Sequence, residues 1–174
     1  MISNNVEINK DVKLSEHLTS SSVAALSHSS KLDGLRLSPH FTLAEMTKTS
    51  VKTADGNIPS HVHIENLRRL CRWLERLRQR CNQPIIINSA YRSPQVNKAV
   101  GGAVTSNHLT GCAADIRCEG KEQAIRYACI LLDISDESQE PFDELLIEQS
   151  AKSIWVHFAV RPEGNRRKID SLKV

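Results

Sequence analysis

Apolar residues recur at helical spacing through the middle of the chain. Ile64, Leu67, Leu70, Cys71, Leu74 and Leu77 fall on one stripe, and Arg68, Arg69, Arg72, Arg76 and Arg80 occupy the other. This pattern predicts a long amphipathic helix whose basic face is a solvated surface. Upstream, Thr42 followed three residues later by Glu45 is a capping box that starts a helix at residues 41–46. Residues 55–60 (DGNIPS) are dense with turn signals. After Pro84 the period changes. Residues 85–87 are a run of three isoleucines that predicts a short buried strand. Residues 94–100 read as a short helix broken by Gly101 and Gly102, and residues 113–118 as a second strand. A helix over 121–132 turns Ala124, Ala128, Leu131 and Leu132 inward. Residues 145–148 and 155–160 are two further strands joined by a polar turn at 149–153. The sum is an α+β fold, with helices packed on one face of a small, mostly antiparallel sheet.

The ends of the chain lack such patterning. Residues 1–38 read as a flexible polar tail, Ser- and Thr-rich over 19–30, with a weak amphipathic helix over 14–26. Order is expected from about Leu37, giving one domain over 39–162. Residues 163–174 read as a basic, solvated C-terminal tail that includes Arg166, Arg167 and Lys168.

Composition narrows the class. The chain has 174 residues, with 40% hydrophobic, 25% charged and 4% aromatic residues. That range excludes collagen-like, coiled-coil and wholly disordered chains. No apolar run approaches the roughly 20 residues that span a bilayer. The net charge of +3 is too small to imply nucleic acid as a partner. The five cysteines, Cys71, Cys81, Cys112, Cys118 and Cys129, are odd in number and contain no CxxC. They read as reduced, mostly buried thiols of a protein made in a reducing compartment. Residues 1–13 show no apolar signal region, so the expectation is synthesis in the cytoplasm without a signal peptide. Action outside the cytoplasm would then follow release or export.

Three segments could carry chemistry. In the first, residues 106–115 (SNHLTGCAAD), His108 precedes a strand and Asp115 lies within it. Alternation puts Asp115 and Ala113 on one face, and Cys112, Ala114 and Ile116 on the other. A carboxylate in that apolar setting needs a cation partner. Gly111 allows the chain to turn His108 back toward Asp115. In the second, Trp155, His157 and Ala159 share one face while Val156, Phe158 and Val160 face the core. In the third, Arg92 directly follows a strand, where a guanidinium can hold a carboxylate bidentately. Two imidazoles and a carboxylate suit a catalytic zinc ion with one position open. Taken singly, each has a plainer reading as a loop histidine, a salt-bridged aspartate or a structural arginine. His61 and His63, two apart, match neither face of a helix, and His17, His28 and His40 read as incidental.

Taken together, the motifs resemble a known family. Tyr91-Arg92-Ser93, then Asn97 through Gly102, then Ser106-x-His108-x-x-Gly111-x-Ala113-x-Asp115, then Trp155-Val156-His157 are similar to the zinc D-alanyl-D-alanine carboxypeptidases. That family includes phage LD-endopeptidases and shares its fold with the hedgehog signalling domain. The likeness spans roughly residues 40–160. It implies one zinc ion held by His108, Asp115 and His157, Arg92 as an anchor for the substrate carboxylate or its carbonyl, and Ser106 at the substrate edge. Many members carry the general base three residues before the third ligand. Here that position is Ile154, so the resemblance points to Glu148, with Glu144 and Asp143 as alternatives. Alternation places Glu144 and Glu148 on one face and does not separate them. The implied substrate is a peptidoglycan stem peptide or a small D-amino-acid peptide, cut by a monomer without nucleic acid or membrane. The displaced acid leaves a second reading, a zinc-bound pseudoenzyme that serves as a binding module.

Overall fold

The computed structural model describes residues 34–54 and 56–174. The weak helix over 14–26, most of the polar tail, His17, His28 and Asp55 lie outside the described residues. The elements, in chain order, are α1 (Leu43–Met46), α2 (His61–Cys81), β1 (Ile87–Ser89), α3 (Pro94–Ala99), a 3₁₀ turn (Asn107–Thr110), β2 (Ala113–Cys118), α4 (Lys121–Ser138), β3 (Glu144–Gln149), β4 (Ile154–Ala159) and β5 (Lys168–Lys173). The strands form one sheet in the order β1-β2-β4-β3-β5. Every pair is antiparallel except β3 with β5.

Local chemistry accounts for the helix boundaries. Thr42 Oγ1 accepts the Glu45 amide at 3.2 Å to start α1. Ser60 Oγ accepts the His63 amide at 3.3 Å to start α2, which ends where Asn82 takes a left-handed conformation. The arginines of α2 are engaged more than a solvated face would be. Arg76 reaches Glu140 at 3.0 Å and stacks on Trp73, and Arg80 pairs with Glu137, so both tie α2 to the end of α4. The helix α4 runs six residues past its predicted end. Its last turns are polar in sequence, yet Ile134 and Ser135 still face the core.

The core lies between these helices and one face of the sheet. Ala114, Ile116, Leu145, Val156 and Phe158 pack against Leu67, Leu70, Leu74, Leu77, Tyr127 and Leu131. The alternate residues of β2, β3 and β4 project from the opposite face, and that face carries the polar chemistry. Cys71, Cys81, Cys112 and Cys118 are buried and Cys129 is exposed, all as free thiols, as their spacing suggested.

Two elements differ from the sequence reading. The isoleucine run leads into β1 rather than forming it: Ile85 is buried, but Ile86 is half exposed and the strand begins at Ile87. The segment read as a solvated tail ends in β5, which pairs parallel with β3, Lys168 opposite Glu144 and Leu172 opposite Glu148. Its residues are nearly all exposed, so they carry no alternation that could announce a strand. Contacts ahead of it fix its register. The Arg167 and Lys168 amides donate to the Phe142 and Asp143 carbonyls at 2.9 Å each.

Candidate metal centre

The sheet face opposite the core brings the three motifs together. On β2 and β4, Asp115 stands directly across from His157. The 3₁₀ turn delivers His108 from the side. Ser106 caps that turn, its Oγ accepting the His108 amide at 3.3 Å. Gly111 ends the turn at φ +71°, and a Cβ there would lie 2.7 Å from the His63 carbonyl oxygen, so only glycine allows this close approach to α2. Asn66 on α2 donates to the Thr110 carbonyl at 2.9 Å and secures the same contact.

His108 Nε2 and His157 Nδ1 lie 3.1 Å and 2.9 Å from the same oxygen, Asp115 Oδ1. Among the described residues these are the one group of three or more such side chains that could hold a metal ion, with all donor atoms within 4.8 Å of one another. Tetrahedral zinc with bonds near 2.1 Å spaces its ligands about 3.4 Å apart, so the cluster fits after a small expansion. The remaining ring nitrogens are already supported. His108 Nδ1 donates to the Ala90 carbonyl at 2.6 Å, and His157 Nε2 lies 3.5 Å from Glu144 Oε2. Each contact fixes the ring so that the other nitrogen faces the cluster.

The electrostatics favour a cation. Burial would raise the Asp115 pKa, but the His108 and His157 imidazoles outweigh it and hold the carboxyl well below the usual range. Burial would lower the pKa of His157, yet Asp115 and Glu144 push it up to about 9. In the absence of a metal the cluster therefore keeps a proton, which is the position a cation would take over. Arg92 is the cation partner that Asp115 needs. Its Nη2 donates to Asp115 Oδ2 at 2.5 Å and its Nε to Ser89 Oγ at 2.8 Å. Oδ1 is thus left to the histidines.

These groups open onto a cleft of about 560 Å³ whose lining includes Arg92, Ser106, Glu148, Trp155 and His157. Glu148 faces Trp155 across β3 and β4, and its Oε2 accepts the indole N–H at 2.6 Å. Glu144 shares the face but is otherwise engaged. Its Oε2 also accepts from Asn107 Nδ2 at 2.8 Å, and its Oε1 pairs with Arg166 at 3.0 Å. The hydrogen bond from His157 is the largest influence holding the Glu144 pKa down to about 2. Asp143 is fully buried, and its partners are not the cluster's histidines. It accepts Arg166 Nε and Nη2 at 2.8 Å and 2.7 Å and Asn107 Nδ2 at 2.7 Å. His40 pairs with Glu75, the His63 ring lies against Tyr91, and Cys112 Sγ points to the Thr110 carbonyl, so none joins the cluster.

Asn107 and Arg166 are the site residues that sequence reasoning missed. Asn107 is the variable position inside S-x-H, and Arg166 sits in a basic run with no pattern of its own. Together they clamp Asp143 and Glu144. Burial alone would raise the Asp143 pKa, but its bonds from Arg166 and Asn107 lower it. The Asp143 carboxylate therefore stabilises the fold fully above the unfolded value near pH 4, and loses that effect as pH falls through its lower folded value. Asp143→Ala is expected to destabilise by about 2 kcal/mol at pH 7. In thermal melts the gap between wild type and variant should narrow as pH falls below about 4.

A family model described as Peptidase M15 matches residues 39–157, more than half of the chain, from just ahead of α1 to His157. None of the curated proteins matches the chain.

Proposed function

The chain belongs to the Peptidase M15 family, a family of zinc-dependent metallopeptidases, and from that premise we propose that it hydrolyses an amide bond in peptidoglycan stem peptides. The observation that carries this reading is the convergence of His108 Nε2, Asp115 Oδ1 and His157 Nδ1 in a cleft that Glu148 also lines. Either a D-Ala-D-Ala carboxypeptidase or an L-Ala-D-Glu endopeptidase would use this arrangement.

His108, Asp115 and His157 would hold one zinc ion. When bound, zinc supplies Lewis acidity, polarising a carbonyl and lowering the pKa of a water to about 7. Glu148 is the general base. Trp155 holds its Oε2, leaving Oε1 to accept the proton of the attacking water. The same oxygen then returns the proton to the leaving amine. Arg92, locked by Asp115 and Ser89, presents its remaining N–H groups to the cleft, where they favour negative charge developing on the carbonyl oxygen. Ser106 stands at the rim beside His108 and positions the substrate backbone. Glu144 keeps the His157 ring oriented and takes no proton.

The test is digestion of purified peptidoglycan, with fragments identified by mass spectrometry. Zinc-loaded wild type is expected to release stem-peptide fragments. Chelator-treated protein and His157→Ala should release none. A protein that binds one zinc ion yet leaves both peptidoglycan and small D-peptides intact would overturn hydrolysis and leave a binding module.

A further inference from the structure

Beyond the metal centre, at the end of β2, β3 and β4 where the β3–β4 turn lies, is a second hollow. It has a volume of about 800 Å³ and lies between the β3–β4 turn and the β2–α4 loop, lined by Arg117, Lys121 and Lys152 together with Asn88, Gln149 and Ser153. All three cations are exposed. None has a hydrogen-bond or ion-pair partner for its side chain among the described residues. One acid, Glu119, lies on this lining against the three cations.

The register connects the hollow to the cleft. Arg117 follows Asp115 by two positions on β2, so both project from one face about 7 Å apart. Across the sheet, Arg117 stands opposite Trp155, which in turn stands opposite Glu148. Trp155 thus lies between the proposed base and Arg117. The walls are fixed in place. The Arg117 amide donates to the Ile86 carbonyl at 2.9 Å. The turn bearing Lys152 is closed by the Ser150 amide on the Ser153 carbonyl at 2.9 Å and by the Ser153 amide on Ser150 Oγ at 3.1 Å.

An extended peptide advances about 3.3 Å per residue, so 7 Å along the strands corresponds to two residues of substrate. We propose that this hollow is an anion subsite in which Arg117, assisted by Lys152 and Lys121, binds a carboxylate of the substrate within two residues of the cleaved amide. The inference rests on the peptidase reading above. In a stem peptide the group with this chemistry is the α-carboxylate of the γ-linked D-glutamate. It lies just after the L-Ala-D-Glu bond but two residues before the D-Ala-D-Ala bond, and so on opposite sides of the two scissile amides. A subsite fixed to one side of the cluster serves one of these cuts, and the fragment released tells which.

The experiment compares L-Ala-γ-D-Glu-L-Lys-D-Ala-D-Ala with the same peptide amidated at the D-glutamate α-carboxylate. Binding is measured on the zinc-loaded full chain carrying Glu148→Gln, and turnover on the otherwise wild-type protein. The free acid is expected to bind about tenfold more tightly than the amide. Arg117→Ala should erase that preference, and Arg117→Lys should keep part of it. In turnover the change should fall on KM, with kcat held within about twofold. A preference unchanged by Arg117→Ala, or none to begin with, overturns the subsite. Arg117-dependent binding without cleavage by the wild type would retain the subsite and overturn hydrolysis. Binding of neither peptide would overturn both.

Discussion

Glu148→Gln is expected to lower turnover of a stem peptide by at least about 10²-fold while zinc affinity stays near that of the wild type. Glutamine keeps the shape of the side chain and can still accept the Trp155 indole N–H, but it cannot take a proton. Glu144→Gln is the informative comparison. Both oxygens of Glu144 are occupied, by Asn107 and His157 on one side and Arg166 on the other. Its loss should weaken zinc binding by about tenfold, through the orientation of His157, and lower turnover chiefly at limiting zinc. Zinc titration by chelator competition, run beside steady-state kinetics, separates the two. If saturating zinc restores Glu148→Gln and fails to restore Glu144→Gln, the roles assigned here are reversed.

Gly111→Ala should cost about 3 kcal/mol of stability. Roughly 1–2 kcal/mol comes from placing a side chain in the left-handed region. The rest comes from the new Cβ, 2.7 Å from a backbone oxygen in the first turn of α2, which cannot swing aside. For a domain of this size the melting temperature should fall by about 10 °C. Zinc affinity should fall too, because the turn that shifts carries His108. Gly101→Ala is the control. Gly101 has the same φ of +71° and nothing within 4 Å, so it should show the conformational part alone, near 1 kcal/mol. Equal melting points for the two variants would mean that α2 yields, and that the turn is not pinned as described.

Much of this centre was legible because strands speak through alternation. On β4 one set of residues is plainly core, and on β2 alternation parts Asp115 from Ala114 and Ile116. The family resemblance grouped Asp115 and His157 with His108, and the pairing of β2 with β4 brings the two together. Alternation could not divide Glu144 from Glu148, since both truly share a face. What divides them is occupancy by Asn107 and Arg166, which comes from distant segments and leaves no local trace. The isoleucine run misled for the opposite reason. Three like residues carry no period, so burial of Ile85 gave no hint that Ile86 lies open. The strand β5 was invisible because it pairs through its backbone while its side chains face water. The length of α4 was underestimated because its final turns are held by Ile134 and by arginines of another helix rather than by an apolar stripe.

That last strand also has a dynamic meaning. It joins the sheet along one side only and buries little, so its amides should exchange with solvent well before those of β2 and β4. Arg166 enters the sheet just ahead of it and spans Asp143 and Glu144. Each fraying of the strand would therefore slacken the brace behind His157 while the core stays folded. Metal residence time would then be governed by the opening rate of one peripheral strand, not by the lifetime of the whole domain.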